Sequence, residues 1–114
     1  MEKIVKQTLL YDFYGELLTE QQKGIYEEVV LNDFSLSEVA EAYGISRQGV
    51  YDMIRRCNKI LMGYEEKLHL VEKFLRTKEM VTEINQLALQ FKEEGEIEKI
   101  EKIQRISQQI IKEF

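Results

Sequence analysis

The chain of 114 residues contains no proline, one cysteine and one histidine. With no proline and only six scattered glycines, no stretch has the composition of a flexible or extended linker. A lone cysteine excludes an internal disulfide framework and a multi-thiolate metal site. Cys57 falls at a core spacing in a long helical pattern, so it reads as a buried apolar thiol. The single imidazole, His69, has Glu65, Glu66 and Glu72 around it. Those mixed spacings suit solvated partners better than a metal-ligand set. A glycine-rich phosphate loop is missing and no nucleophile has a base at a useful spacing, so neither an enzyme nor a cofactor is expected. The N-terminus lacks the apolar run of a signal peptide, and no stretch is apolar for long enough to span a bilayer. Those two absences predict a cytoplasmic protein without membrane insertion.

Helix formers dominate, and the period-two alternation of strands is missing, which makes the class all-α. The length suits one domain, or a small domain with an extension. Sixteen basic against twenty-one acidic residues leave a net charge of −5, a poor global signature for a nucleic-acid binder. The distribution matters more than the sum. From Gly44 to Met62, Arg47, Arg55, Arg56 and Lys59 stand against Asp52 alone, a local +3 that leaves −8 on the rest. From Glu16 to Glu41 there are seven acids and one lysine.

The most informative stretch is Leu36-Ser-Glu-Val-Ala-Glu-Ala-Tyr-Gly-Ile-Ser-Arg-Gln-Gly-Val-Tyr-Asp-Met-Ile-Arg55. It reads as two short helices joined by a tight turn. Val39, Ala40 and Tyr43 share one face of the first helix. Gly44 suits a left-handed exit from it, and Ser46 suits the cap of the next. Val50, Met53 and Ile54 turn the second helix back onto the first. A small residue at the crossing, a glycine at the turn and a branched apolar lock are what a helix-turn-helix requires. Ala40, Gly44 and Val50 supply them.

Before this motif, residues 2–15 form an amphipathic helix. Its Tyr11, Phe13 and Tyr14 have acids nearby and no basic residue among them, so they read as core packing rather than a base-stacking platform. Thr19 and Gln22 have capping-box spacing for a second helix that carries Ile25, Tyr26, Val29 and Val30 and ends at Asn32-Asp33. Phe34 and Leu36 would staple the next helix, and Ser35 or Ser37 would cap it. Leu18-Thr-Glu-Gln-Gln, the apolar helix after it, Leu36 to Ser46 and Val50-Tyr-Asp-Met-Ile-Arg-Arg are similar to the promoter-binding region four of bacterial sigma factors. A closer resemblance is to a YlxM-like family of small Firmicute proteins encoded beside signal recognition particle genes. It spans nearly the whole chain, including Leu10-Tyr-Asp-Phe-Tyr-Gly and the charged tail. The resemblance implies a DNA-binding fold and a link to the signal recognition particle pathway. The other sigma regions are missing, so polymerase programming is not expected.

From Gln48 onward, Val50, Ile54, Cys57, Leu61, Tyr64, Leu68, Val71 and Leu75 recur in steps of four and three, the seam of a heptad repeat. The pattern predicts one helix from Ser46 to Arg76, about 45 Å long, with Gly63 tolerated inside it at a cost of about 1 kcal/mol. Two further amphipathic segments follow. Residues 78–92 present Val81, Ile84, Leu87, Ala88 and Phe91, and, past Gly95, Ile97, Ile100, Ile103, Ile106, Ile110 and Phe114 line another face. The organisation expected is a sigma region-four-like head over residues 1–62 and a helical extension over 63–114, packed as one continuous unit. So much apolar surface needs a cover, from the chain itself or from a second copy, and a homodimer is favoured.

The outward positions of the motif's second helix are Ser46, Arg47, Gln48, Tyr51, Asp52 and Arg55, with Arg56 and Lys59 one or two turns on. Arg47 suits guanine and Gln48 adenine in the major groove of duplex DNA. Tyr51 suits a phosphate or a thymine methyl; Arg55, Arg56 and Lys59 suit phosphates. Asp52 conflicts with phosphate and must accept from cytosine or pair with Arg55 or Arg56. The expectation is a DNA-binding regulatory protein. The alternative is a protein- or RNA-interaction factor of the signal recognition particle system that keeps the motif as scaffold.

Overall fold

A computed structural model describes residues 2–114. The described chain is all-α and falls into two compact units, one ending at Val71 and the other Glu72–Phe114.

In the first unit the local signals act where their spacing says they should. Helix α1 (Lys3–Tyr14) passes through a 3₁₀ turn at Gly15–Leu17. Helix α2 (Glu20–Tyr26) then starts at a reciprocal capping box. Gln22 N donates to Thr19 Oγ1 at 3.2 Å, and Thr19 N donates to Gln22 Oε1 at 2.9 Å. The chain continues as a wide π turn over Glu27–Leu31, closed by Asn32 N on the Glu27 carbonyl. Helix α3 (Leu36–Tyr43) carries a second capping box, between Ser35 and Glu38. Of the two serines named as its cap, Ser35 takes the role.

Helix α4 (Arg47–Leu68) is the element on which α1, α2 and α3 all pack. One core gathers Ile25, Val39, Ala40 and Val50, with Tyr43, Ile45, Met53 and Ile54 against it. Tyr14, Tyr26, Cys57 and Leu61 are also fully buried. Tyr11 stacks on Tyr26 with ring centres 5.3 Å apart, and Tyr14 on Tyr64 at 6.0 Å. Tyr11 and Tyr14 thus pack inside, whereas Phe13 is 38% exposed. Gly24 lies under Tyr43: a Cβ there would stand 2.5 Å from the tyrosine hydroxyl oxygen.

The heptad seam predicts a helix unbroken to Arg76, but α4 stops at Leu68. His69 adopts the left-handed conformation, φ 57°, and its N–H closes on the Glu65 carbonyl. The next two amides are satisfied by side chains. Leu70 N donates to the Tyr14 hydroxyl at 3.1 Å, and Val71 N to the Glu65 carboxylate at 2.9 Å. That carboxylate also accepts from the Tyr14 hydroxyl at 2.6 Å. Helix α5 (Leu70–Glu94) therefore begins well before Lys78, the start expected for the following segment.

The second unit contains α5 from Glu72 onward and α6 (Ile97–Glu113), separated at Gly95 with φ 70°. Arg76 Nη2 lies 2.9 Å from Glu113 Oε1, which pairs the start of α5 with the end of α6. Leu87 is the buried apolar side chain here, while Ile100, Ile103, Ile106 and Ile110 are half-buried. Val81, Leu89, Ile97, Ile111 and Phe114 are exposed. No described helix is long and apolar enough to cross a membrane.

Candidate nucleic-acid interface

The turn between α3 and α4 is built by three consecutive residues. Gly44, at φ 66°, sits where a side chain would be strained. Its N–H reaches the Glu41 carbonyl and the N–H of Ile45 reaches the Ala40 carbonyl at 3.1 Å, the paired bonds of a Schellman stop. Ile45 joins the core, and Ser46 then leaves the turn extended with its Oγ accepting from Gly49 N at 2.9 Å. That cap fixes Arg47 as the first helical residue.

With Val50 fully buried against α3, the rotation of α4 is set, and its opposite face is open to solvent. Ser46, Arg47, Gln48, Tyr51, Asp52, Arg55, Arg56 and Lys59 are all exposed. They do not act alike. Ser46 spends its hydroxyl on the cap, so it positions the others. Gln48 Nε2 donates to Asp52 Oδ1 at 3.0 Å, and the Arg55 guanidinium lies over the Tyr51 ring, 5.9 Å from its centre. Asp52 therefore bonds to neither arginine that the sequence offers it. Among the described residues, Arg47, Arg56 and Lys59 have no hydrogen-bond or ion-pair partner.

A shallow hollow beside this face is lined by Leu36, Arg47, Gln48 and Tyr51. Leu36 is the contributor that sequence reasoning assigned only to stapling. Its place as the first residue of α3, one residue past the Ser35 cap, was the available signal. Glu38 follows the same cap, and the hydrogen bonds from the Ser35 backbone and side chain hold its carboxyl below the ordinary value. Elsewhere, Cys57 is fully buried, and burial raises its thiol pKa. Among the described residues no cluster of three His, Cys, Asp or Glu side chains is placed to hold a metal ion.

A family model described as "Putative helix-turn-helix protein, YlxM / p13 like" matches residues 1–111. The chain is similar to UPF0122 protein YlxM of Bacillus subtilis (strain 168), 48% identical over 97 residues, covering 85% of this chain and 88% of that one. A UPF0122 protein of Bacillus velezensis is 46% identical over 107 residues, covering 90% and 97%. One from Thermoanaerobacter pseudethanolicus is 42% identical over 107 residues, covering 94% and 89%.

Proposed function

Because the chain belongs to the YlxM / p13-like helix-turn-helix family, we propose that it is a DNA-binding regulatory protein that sets the start of α4 into the major groove. The observation that carries this reading is the exposed face from Arg47 to Lys59, on which Arg47, Arg56 and Lys59 have no partner within the described chain. Arg47 and Gln48 lie at the helix end that meets base edges, and Arg56 and Lys59 follow about two to three turns on, where phosphates would run. The head through residue 62 reads DNA, and the extension 63–114 pairs two copies. So few cations make one head a weak, salt-sensitive binder, which two heads on one duplex would offset. A cytoplasmic location fits such a role.

Mobility-shift titration with a selected duplex tests the assignment. Arg47→Ala with Gln48→Ala is expected to abolish sequence preference while the helical circular-dichroism signal stays intact. Undiminished specific binding by that double variant refutes it.

A second reading has its own support. The net charge of −5 and the carboxylate of Asp52 on the outer face suit a scaffold that meets a protein or RNA component of the signal recognition particle. Binding to the purified particle protein that survives nuclease digestion, with no salt-dependent duplex binding, would favour it.

A further inference from the structure

The hydrogen bond between Gln48 and Asp52 changes what this face of α4 can recognise. A free glutamine amide offers one donor and one acceptor side by side, which suits the N6 and N7 edge of adenine. Here one Nε2 hydrogen is committed to Asp52 Oδ1. What remains outward is the amide oxygen, one N–H and the rest of the carboxylate, a surface dominated by acceptors. Arg56 stands four residues beyond Asp52, a spacing at which acid and base commonly pair on a helix. Asp52 nevertheless bonds to neither Arg56 nor Arg55, so its charge is not cancelled by an ion pair.

A carboxylate with no cation beside it is repelled by every phosphate of the DNA it faces, and is tolerated only where a further donor meets it. In the major groove the donors are the exocyclic amino groups of cytosine and adenine. Adenine sets its N7 acceptor beside that amino group, which opposes a carboxylate. Cytosine sets only a carbon–hydrogen edge beside its own.

Resting on the reading that α4 enters the major groove, we infer that the Gln48–Asp52 pair is a specificity device that accepts from the N4 amino group of cytosine. Arg47 at the helix start donates to guanine. The two residues are five apart, about 7.5 Å along the helix, which corresponds to roughly two base-pair steps. The pair also discriminates against unselected DNA, because at most sequences the base edge it meets is an acceptor or an adenine amino group flanked by N7, not the N4 amino group of cytosine.

The test is selection of the full-length protein against a random duplex pool, run in parallel with Asp52→Ala and Arg47→Ala. The wild type is expected to enrich duplexes with a fixed cytosine and, close by, a fixed guanine. Asp52→Ala is expected to lose the cytosine preference by about tenfold, keep the guanine and bind unselected duplex more tightly. Arg47→Ala is expected to do the reverse, losing guanine alone. A wild-type selection without a fixed cytosine overturns the inference while leaving duplex recognition standing, as does a cytosine preference that survives in Asp52→Ala. A wild type that enriches nothing and shows no salt-dependent duplex binding overturns the parent reading and this one together. Circular dichroism of each variant separates these outcomes from loss of fold.

Discussion

Asn58 shows how much one polar atom can hold. Its Oδ1 accepts from the Tyr26 hydroxyl at 2.7 Å and from Gln7 Nε2 at 3.2 Å, so α1, α2 and α4 meet at a single oxygen. Tyr26 is fully buried, and replacing Asn58 by Leu would strand its hydroxyl without a partner. The expected cost is about 1–3 kcal/mol, the penalty of an orphaned buried donor, read from urea unfolding. Burial also pushes the Tyr26 phenol up to about 12. The folded state therefore holds this proton more tightly than the unfolded chain. Its contribution to stability is complete below the unfolded value near about 10 and is lost as pH rises toward the folded one. Tyr11 and Tyr14 are raised too, chiefly by burial and then by hydrogen bonds to Glu27 and Glu65, so they share the alkaline slope. Tyr26→Phe is expected to reduce that slope without abolishing it, which unfolding curves collected at several alkaline pH values would measure.

Among elements, what was legible depended on how local its cause was. Both capping boxes, the left-handed Gly44 and the Ser46 cap are settled within a few residues, so their spacing announced them. The interruption between α4 and α5 was hidden because its cause is remote. Tyr14, 56 residues upstream of Leu70, supplies the acceptor that lets α5 begin there. The heptad seam runs across the joint without a mark. A matching prediction is that Tyr14→Phe leaves the Leu70 amide without its acceptor and frees one bond on Glu65. Hydrogen exchange at Leu70 should then accelerate by up to about tenfold, the effect of losing a neutral bond of roughly 0.5–1.5 kcal/mol, and exchange at Val71 should accelerate less, because its bond to the Glu65 carboxylate remains. Exchange as slow as in the wild type would show that the joint is held by something else. The candidate interface divides in the same way. Which residues face outward followed from Ala40, Gly44 and Val50. Which of them pair did not, since Gln48, Arg55 and Arg56 all lie within one turn of Asp52, and only the folded side chains choose Gln48.

For the whole molecule, the second unit poses a stability problem that a second copy would solve. Two helices of this length bury little surface by themselves, and chains of so few residues seldom hold a fold without additional support. Here Leu87 is the one apolar side chain buried among the described residues of that unit, while Ile97, Ile111 and Phe114 are each more than 60% exposed. Each such side chain contributes roughly 1.5–3 kcal/mol once fully buried, so covering three on each of two copies is comparable with the roughly 4–15 kcal/mol cost of association. The wild type is expected to sediment as a dimer at micromolar concentration. Ile111→Lys with Phe114→Lys is expected to sediment as a monomer, because two charges would have to enter the shared core. A wild type that stays monomeric at high micromolar concentration rules the pairing out. If the pairing holds, it carries over to DNA. The number of phosphates neutralised sets the salt dependence, so a dimer engaging two heads should show about twice the logarithmic salt slope of the double-lysine monomer. An equal slope for both would mean that the second head never touches the duplex.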